Sequence, residues 1–242
     1  MDTLVQEGKY QVLEVLEKQD GYRACLCIDV ETNNHYRPMI FNIYEKDEYI
    51  RRYLPAFFSM SHEGNSDFIR VLSGRHCITA VFEHHTGVKL RSYFKQADKN
   101  DFGLRCRYAS MLLEECLILD AAADFISYSC LEPDNIVVSD KLQKVRINYI
   151  VRPGETINSN YKGEKLALLL EQIFAANRYV PEGLFEYIVE LKRGIYESIV
   201  TAFSRWKEIQ EDLMDEHRNL RKETLATYLV RRIKSFFRNR LG

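Results

Sequence analysis

The spacing of apolar residues changes near Gly87, and this change restricts the folds available to the chain more than any other feature. Before Gly87, short runs of β-branched, aromatic and aliphatic residues alternate with polar turns, which is typical of β-strands. After Gly87, apolar residues recur at helical spacing over longer segments. We therefore expect an α+β protein in which residues 1–86 form a sheet unit and residues 87–220 form a mainly helical unit.

Five strands and one helix are predicted before Gly87. The helix covers residues 46–60, where Tyr49, Tyr53, Phe57 and Met60 share one face. The predicted order β-β-β-α-β-β gives a five-stranded antiparallel sheet with one helix after the third strand. The predicted strands cover residues 10–16, 22–30, 38–44, 68–72 and 77–83.

Helices dominate the prediction after Gly87. Two short apolar strands, residues 136–138 and 145–147, are separated by a polar turn. Pro181 fits the first turn of a helix, because the N–H that proline lacks would have no partner there. The predicted helices cover residues 104–123, 162–177, 181–204 and 206–237.

Nothing in the overall composition suggests a strongly charged partner. Apolar residues make up 46% of the 242 residues, and 34 basic against 35 acidic residues give a formal net charge of −1. This balance is that of an ordinary globular protein, and we expect no nucleic-acid partner. The N-terminus has no basic segment followed by an apolar run, so we expect no secretory signal and a cytoplasmic protein.

The six cysteines do not follow a disulfide or metal-binding pattern. They are scattered without CxxC pairs, which is typical of reduced intracellular thiols. Cys25 and Cys27 would share one face of a strand, but no second Cys or His pair at ligand spacing completes a zinc set. We therefore expect no metal site.

Two segments carry the most specific patterns. Residues 81–93 place an acidic residue, a glycine and a leucine at Glu83, Gly87 and Leu90, and residues 128–138 read Tyr-Ser-Cys-Leu-Glu-Pro-Asp-Asn before an apolar strand. Alone, a Pro-Asp-Asn sequence between apolar segments indicates a turn. Together with the strand order, the two segments resemble the hinge and the HRDLKPEN catalytic loop of protein kinases. The resemblance spans roughly residues 9–200 and implies a two-lobed protein-kinase-like fold.

The resemblance places uncharged residues where kinases carry catalytic charges. Asn42 occupies the position of the strand lysine, Cys130 that of the catalytic aspartate, and Asn148 that of the magnesium-binding aspartate. Asn135, the second metal ligand in kinases, is retained. Amides without carboxylates are poor ligands for magnesium. The resemblance therefore implies a pseudokinase, with no catalytic activity, cofactor or metal.

The neighbouring segments also depart from the kinase pattern. The turn that corresponds to the Gly-rich loop has one glycine, and we expect its carboxylates, Glu17 and Asp20, to repel a triphosphate. Arg52 and Tyr53 occupy the region of the glutamate that pairs with the kinase lysine. About a dozen residues separate Ile150 from the next predicted helix, so we expect no substrate-docking activation segment.

Without catalysis, such a domain is expected to act as a scaffold or regulator that binds another protein. Two alternatives remain open. An atypical kinase could take its carboxylates from Glu132, Asp134 and Asp140, or the domain could bind ATP without catalysis. Cys130 as a nucleophile would need a histidine to activate it, and none lies nearby in the sequence.

Residues 221–242 differ from the rest of the chain in charge. They contain seven basic residues and one acidic residue, with apolar residues at helical spacing. This pattern predicts a basic amphipathic helix that binds an anionic membrane surface or a partner protein, which would place the protein at the membrane periphery. The alternative is that its apolar stripe packs on the helical unit. The candidate interaction residues are Arg231, Arg232, Lys234, Phe236, Phe237 and Arg238.

Overall fold

The protein is an α+β structure in which an antiparallel sheet is followed by a helical region. The computed structural model describes residues 9–31, 37–62, 65–96, 101–139, 143–154, 157–174 and 179–222. The α+β class, the five-stranded N-terminal sheet and the helical C-terminal region agree with the prediction.

The N-terminal sheet has the strand order β1-β2-β3-β5-β4, and every neighbouring pair is antiparallel. One helix, α1, lies between β3 and β4 in the sequence. Each of these elements coincides with a predicted element to within a few residues. They are β1 (Tyr10–Gln19), β2 (Tyr22–Asp29), β3 (Met39–Tyr44), α1 (Asp47–His62), β4 (Phe68–Ser73) and β5 (Ile78–Glu83).

The central strand β3 is buried over its whole length. On the face that α1 covers, Tyr44 stacks on Tyr53 with ring centroids 4.5 Å apart. Phe57, one turn further along α1, packs edge-on against Phe82 of β5. The aromatic face predicted for the helix is therefore the face that holds α1 against the sheet.

The opposite face of the sheet carries a second, smaller apolar cluster. Cys25, Cys27 and Phe41 are buried there, and the ring of Tyr10 packs on Phe41 at 4.9 Å between centroids. The prediction that the two cysteines share one face of a strand is confirmed. Because side chains are buried on both faces of β3, both faces contribute to stability.

The helical region contains a second, three-stranded sheet with the order β6-β7-β8. The short strand β6 follows the connection from the first sheet, and β7 and β8 form a hairpin. The elements are β6 (Val88–Lys89), α2 (Leu90–Gln96), α3 (Phe102–Cys116), α4 (Asp124–Cys130), β7 (Ile136–Ser139), β8 (Lys144–Ile147), α5 (Tyr161–Ile173), α6 (Glu182–Lys192) and α7 (Ile199–Lys222).

Three helix predictions in this region have wrong boundaries. The helix predicted over residues 104–123 ends at Cys116 and is followed by a 3-10 turn. The helices predicted over residues 181–204 and 206–237 are instead α6, which ends at Lys192, and α7, which begins at Ile199. Gly194 adopts a φ of +69° between them, the left-handed conformation that commonly ends a helix.

A carboxylate from a distant part of the chain fixes the start of α7. Asp120 accepts hydrogen bonds from the backbone N–H groups of Ile199 and Val200, at 3.0 and 2.9 Å. Lys162 also pairs with Asp120 at 3.2 Å. The first N–H groups of a helix have no partner within the helix, and Asp120 supplies one. The helix α7 therefore begins at Ile199, before the start at residue 206 that its apolar pattern predicts.

Candidate functional site

A segment after β8 runs between the first sheet and the helical region. We call residues 148–154 the connecting segment. Five of its backbone polar groups are hydrogen-bonded by side chains of β1, β3 and α1. Because buried backbone groups need partners, these side chains determine how closely the sheet lies against the helical region.

Asn42 forms the centre of this contact. Its Oδ1 accepts hydrogen bonds from the Val151 N–H at 2.8 Å and from the Tyr22 hydroxyl at 2.9 Å. Its Nδ2 donates to the Tyr149 carbonyl at 2.8 Å. The side chain is fully buried. The position where the resemblance expects a lysine thus holds an amide whose donor and acceptor are both used inside the protein.

Two tyrosines extend the contact along the connecting segment. Tyr44 donates its hydroxyl to the Val151 carbonyl at 2.6 Å, and Tyr53 donates to the Arg152 carbonyl at 3.1 Å. Burial raises the pKa of Tyr53 to about 12 and that of Tyr44 well above its usual value. Both hydroxyls therefore remain protonated donors at neutral pH. Tyr53 occupies the region in which the resemblance expects a charged glutamate.

Asn148 holds the connection between the two sheets. Its Oδ1 accepts from the His85 N–H at 2.8 Å, and its Nδ2 donates to the His85 carbonyl at 3.0 Å. One side-chain amide thus satisfies both backbone polar groups of one residue. Both the N–H and the carbonyl of the His85 backbone therefore already have a hydrogen-bond partner within the protein.

Asn135 lies beneath the connecting segment and is fully buried. Its Nδ2 donates to the Ser129 carbonyl at 2.7 Å and to the Ile150 carbonyl at 3.3 Å. Its Oδ1 has no hydrogen-bond partner among the described residues. The Ser129 hydroxyl accepts from the Arg152 N–H at 2.7 Å. The loop that resembles the catalytic loop is therefore bonded to the backbone of the connecting segment.

Cys130 is not available as a nucleophile in this structure. The residue is fully buried in the main apolar core, and burial raises the pKa of its thiol far above the usual value. A thiolate is the nucleophilic form of cysteine. A buried and protonated thiol neither reacts as a nucleophile nor replaces a carboxylate as a general base.

Two carboxylates lie at the β1–β2 hairpin, Glu17 near the end of β1 and Asp20 in the turn, and each has a basic partner that the sequence did not predict. Glu17 forms an ion pair with Arg152 of the connecting segment, and Asp20 pairs with Lys46 at 2.7 Å. The expected repulsion of a triphosphate stays a prediction, now for carboxylates that each have a cationic partner. The Glu17–Arg152 pair joins the end of β1 to the connecting segment, and Gln19 adds a hydrogen bond to the Pro153 carbonyl at 3.3 Å.

The three amides and their neighbours do not fit a magnesium–nucleotide complex. A metal–triphosphate complex needs carboxylates for the cation and a cation for the phosphates. Asn42 and Asn148 are uncharged, and both atoms of each amide are bonded within the protein. The unpaired Oδ1 of Asn135 is a single neutral oxygen. Within the described parts of the chain, no group of three or more His, Cys, Asp or Glu residues could hold a metal ion.

An open cleft of about 410 Å³ lies beside the connecting segment. It is bounded by β1, by α4 and the loop that follows it, and by the end of the connecting segment. Its described lining consists of Glu17, Gln19, Phe125, Tyr128, Ser129, Glu132, Asp134, Arg152, Pro153, Gly154 and Ile157. This space remains open although the contact around Asn42 is closed.

Two of the three carboxylates suggested as relocated catalytic groups line this cleft. Glu132 pairs with Lys165, and Asp134 pairs with Lys89 at 3.3 Å. Asp140 lies outside the described residues. Each of the two described carboxylates, Glu132 and Asp134, thus has a cationic partner of its own.

The candidate interaction residues of the C-terminal segment lie outside the described residues. These are Arg231, Arg232, Lys234, Phe236, Phe237 and Arg238. Arg221 and Lys222 form the last turn of α7. Among the helices that the structure describes, none combines the length and the apolar character needed to cross a bilayer.

No protein-family model matches this chain, and no curated protein matches it either.

Sequence reasoning identified Asn42, Asn135 and Asn148 but missed Tyr44 as a member of the contact. The aromatic face of α1 was predicted, whereas the hydrogen bonds of Tyr44 and Tyr53 to the connecting segment were not. The tyrosines on the predicted apolar faces could have suggested these hydrogen bonds, because a buried hydroxyl needs a hydrogen-bond partner.

Proposed function

We propose that the chain is a degenerate protein-kinase-like domain, a pseudokinase, that acts as a binding module for another protein and transfers no phosphate. The observation that supports this proposal most directly is the contact around Asn42. There, an uncharged amide bonds the Tyr22 hydroxyl, the Val151 N–H and the Tyr149 carbonyl in the position where the resemblance expects a lysine.

The order of elements supports the kinase-like part of the proposal. A five-stranded antiparallel sheet has its only described helix after the third strand, and a short connection then leads into a helical region. The loop with Leu131, Pro133 and Asn135 follows a helix and precedes the β7–β8 hairpin. This agreement in order and topology is an analogy of fold, so the function must be argued from the site.

The closed contact supports the non-catalytic part of the proposal. Phosphoryl transfer depends on charges placed around the transferring group. In the proposed correspondence, Asn42 and Asn148 stand where kinases carry charged groups, and Arg52 and Tyr53 stand in the region of the paired glutamate. Asn42, Asn148 and Tyr53 are each hydrogen-bonded to backbone. Opening the contact to admit a nucleotide would exchange these hydrogen bonds for bonds to water, and each bond lost costs about 0.5–1.5 kcal/mol.

Thermal unfolding with and without Mg-ATP tests the proposal. A ligand present at one hundred times its Kd stabilises a protein by about 2.7 kcal/mol, which corresponds to roughly 5–10 °C in Tm for a chain of this size. We expect no increase in Tm with Mg-ATP, Mg-GTP or ATP with EDTA. An increase that requires magnesium would contradict the proposal.

One specific observation favours a second candidate, an atypical kinase. Glu132 and Asp134 both line the open cleft, where carboxylates could hold a metal or accept a proton. This function predicts magnesium-dependent phosphate incorporation that is lost in the double variant Glu132→Gln/Asp134→Asn. We expect no incorporation by the unmodified chain, and incorporation abolished by the double variant would establish the second candidate.

The basic C-terminal segment provides a further proposal, a role at an anionic membrane surface. Near such a surface each Lys or Arg contributes about 1 kcal/mol to binding. Co-sedimentation with anionic liposomes should therefore be lost when the chain is ended at Leu220. Equal sedimentation of the full and shortened chains would exclude the segment from membrane binding.

A further inference from the structure

One face of α7 is fixed by its packing on the helical region. The buried residues of α7 recur at helical spacing and lie within about 60° of one another around the helix axis. They are Ile199, Ala202, Trp206, Leu213, His217 and Leu220. Trp206 donates its indole N–H to the Ser110 hydroxyl at 2.8 Å, and His217 stacks on Phe102 with ring centroids 4.5 Å apart. The side of α7 that points into the protein is therefore fixed as far as Leu220, in its last turn.

The apolar residues of the basic C-terminal segment, residues 221–242, fall on the other side of the helix when the spacing of α7 is extended. At about 3.6 residues per turn, their stripe is centred about 160° away from the buried face of α7. The stripe consists of Leu225, Leu229, Ile233, Phe236 and Phe237. Neither glycine nor proline occurs between Lys222 and Leu241, so the sequence predicts that the helix continues without a break. Residues 223–242 lie outside the described residues.

A continuous helix would not turn this stripe towards the helical region. Thr224, Arg231 and Arg238 are the residues that fall where the buried face of α7 would continue. Burial of a guanidinium without a paired anion costs much more than its exposure to water. The spacing therefore disfavours packing of the segment on the helical region and leaves its apolar stripe facing outwards.

The charge of the segment selects among the surfaces that could cover the stripe. Residues 221–242 contain seven basic residues and one acidic residue. Two copies of the chain that packed through their stripes would bring these like charges together, which is repulsive. An anionic lipid surface suits both features, because the stripe can enter the headgroup boundary while the lipid charge attracts the Lys and Arg side chains.

We infer that the basic C-terminal segment continues α7 as one helix that lies along an anionic membrane surface, with its apolar stripe in the lipid and the helical region on the water side. The inference rests on the membrane role proposed above and adds the face of the helix that makes the contact. It also separates the two alternatives that the sequence leaves open, because a stripe that enters lipid does not pack on the helical region.

Tryptophans placed on the two sides of the predicted helix test this orientation. Phe236→Trp lies on the stripe, whereas its neighbour Ser235→Trp lies about 130° from the centre of the stripe. The unmodified protein supplies the background, because its single tryptophan, Trp206, is fully buried. The probe is a vesicle of phosphatidylcholine with phosphatidylserine, with and without bromine in the lipid acyl chains.

We expect the added emission of Phe236→Trp to be that of a water-exposed indole in solution. Anionic vesicles should shift it to shorter wavelength, and brominated acyl chains should quench it, whereas Ser235→Trp should show neither effect. Equal responses at the two positions, or an equal response to vesicles of phosphatidylcholine alone, would overturn the inference. A short-wavelength emission of Phe236→Trp without vesicles would also overturn it, and dependence of that emission on protein concentration would identify a second copy as the occupant.

A charged variant of the stripe gives an independent readout. Leu229→Asp/Ile233→Asp should lower the affinity for anionic vesicles at least about tenfold, because two apolar side chains no longer enter the lipid. It should leave Tm in solution unchanged, because the stripe does not pack on the folded protein. Phe185→Asp is the matched control, since Phe185 is an apolar residue of α6 that is 67% exposed, and it should change neither quantity. A decrease in Tm with the double variant but not with the control would overturn the inference.

Co-sedimentation separates failure of the inference from failure of the membrane role. If the full chain does not sediment with anionic vesicles, the membrane role fails and the inference fails with it. If the full chain sediments and the chain ended at Leu220 does not, but the emission of Phe236→Trp stays unchanged, the membrane role stands and only the inference fails.

Discussion

Replacing Asn42 with alanine should cost the protein a large part of its stability. The substitution removes three hydrogen bonds and leaves three groups without partners, namely the Tyr22 hydroxyl, the Val151 N–H and the Tyr149 carbonyl. All three residues are at most 2% exposed. Water therefore cannot replace the amide without opening the contact.

The size of the effect follows from those three groups. A buried polar group left without a partner costs about 1–3 kcal/mol, and partial rearrangement of the contact lowers the sum. We expect Asn42→Ala to reduce the free energy of unfolding by about 4 kcal/mol. For a chain of this size that corresponds to roughly 8–16 °C in Tm, which leaves a typical protein folded at room temperature.

Thermal and urea unfolding monitored by circular dichroism measure this effect. Asn158→Ala is the matched control, because Asn158 also makes side-chain hydrogen bonds, to Glu164 and to the Asn160 N–H, but in an exposed position. We expect the control to cost less than about 1 kcal/mol. Equal destabilisation by the two substitutions would refute the role assigned to Asn42.

Three further predictions concern other parts of the structure. Cys130 is buried and its thiol pKa is raised, so it should resist iodoacetamide in the native protein, whereas the partly exposed Cys77 should react. Equal labelling of the two cysteines, measured by peptide mass spectrometry, would contradict the burial of Cys130. Gly163→Ala should lower the free energy of unfolding by about 2 kcal/mol, because the added Cβ would lie 2.3 Å from the Leu191 carbonyl oxygen. Gly154→Ala, whose Cβ would have no atom within 4 Å, should leave it unchanged, and urea unfolding measures both. Burial and the neighbouring His85 lower the pKa of His84, so on acidification the unfolded chain binds a proton before the folded protein does, and stability falls below about pH 6.5. His84→Gln should reduce this pH dependence of Tm. An unchanged dependence would exclude His84 as its source.

The first sheet was predictable because its signals are local. Alternating apolar residues define the strands, and Asp20 and Gly21 form the tight turn that joins β1 to β2. The spacing of Tyr53 and Phe57 correctly predicted which face of α1 covers the sheet. Each of these features depends on residues only a few positions apart.

The helix boundaries after Gly87 were less predictable because distant residues determine them. The helical pattern runs past Lys192 without an obvious interruption, and the φ of Gly194 becomes apparent only in the structure. The start of α7 depends on Asp120, which is 79 residues away from Ile199. A spacing rule considers one segment at a time and does not detect such a cap.

The site was predictable in its residues but not in their roles. The resemblance drew attention to Asn42, Cys130 and Asn148 as positions without charge. It did not indicate that Asn42 bonds the backbone of Val151, 109 positions away, or that Asn148 bonds His85 across 63 positions. Hydrogen bonds over such separations depend on the complete fold.

Amide hydrogen exchange of Val151, with and without Mg-ATP, tests the central claim most directly. In the structure the Val151 N–H donates to a fully buried Asn42 side chain, so it should exchange only through a costly opening of the contact. We predict slow exchange that Mg-ATP does not change. Rapid exchange of Val151, or an exchange rate that responds to Mg-ATP but not to ATP with EDTA, would contradict a contact around Asn42 that uncharged side chains close.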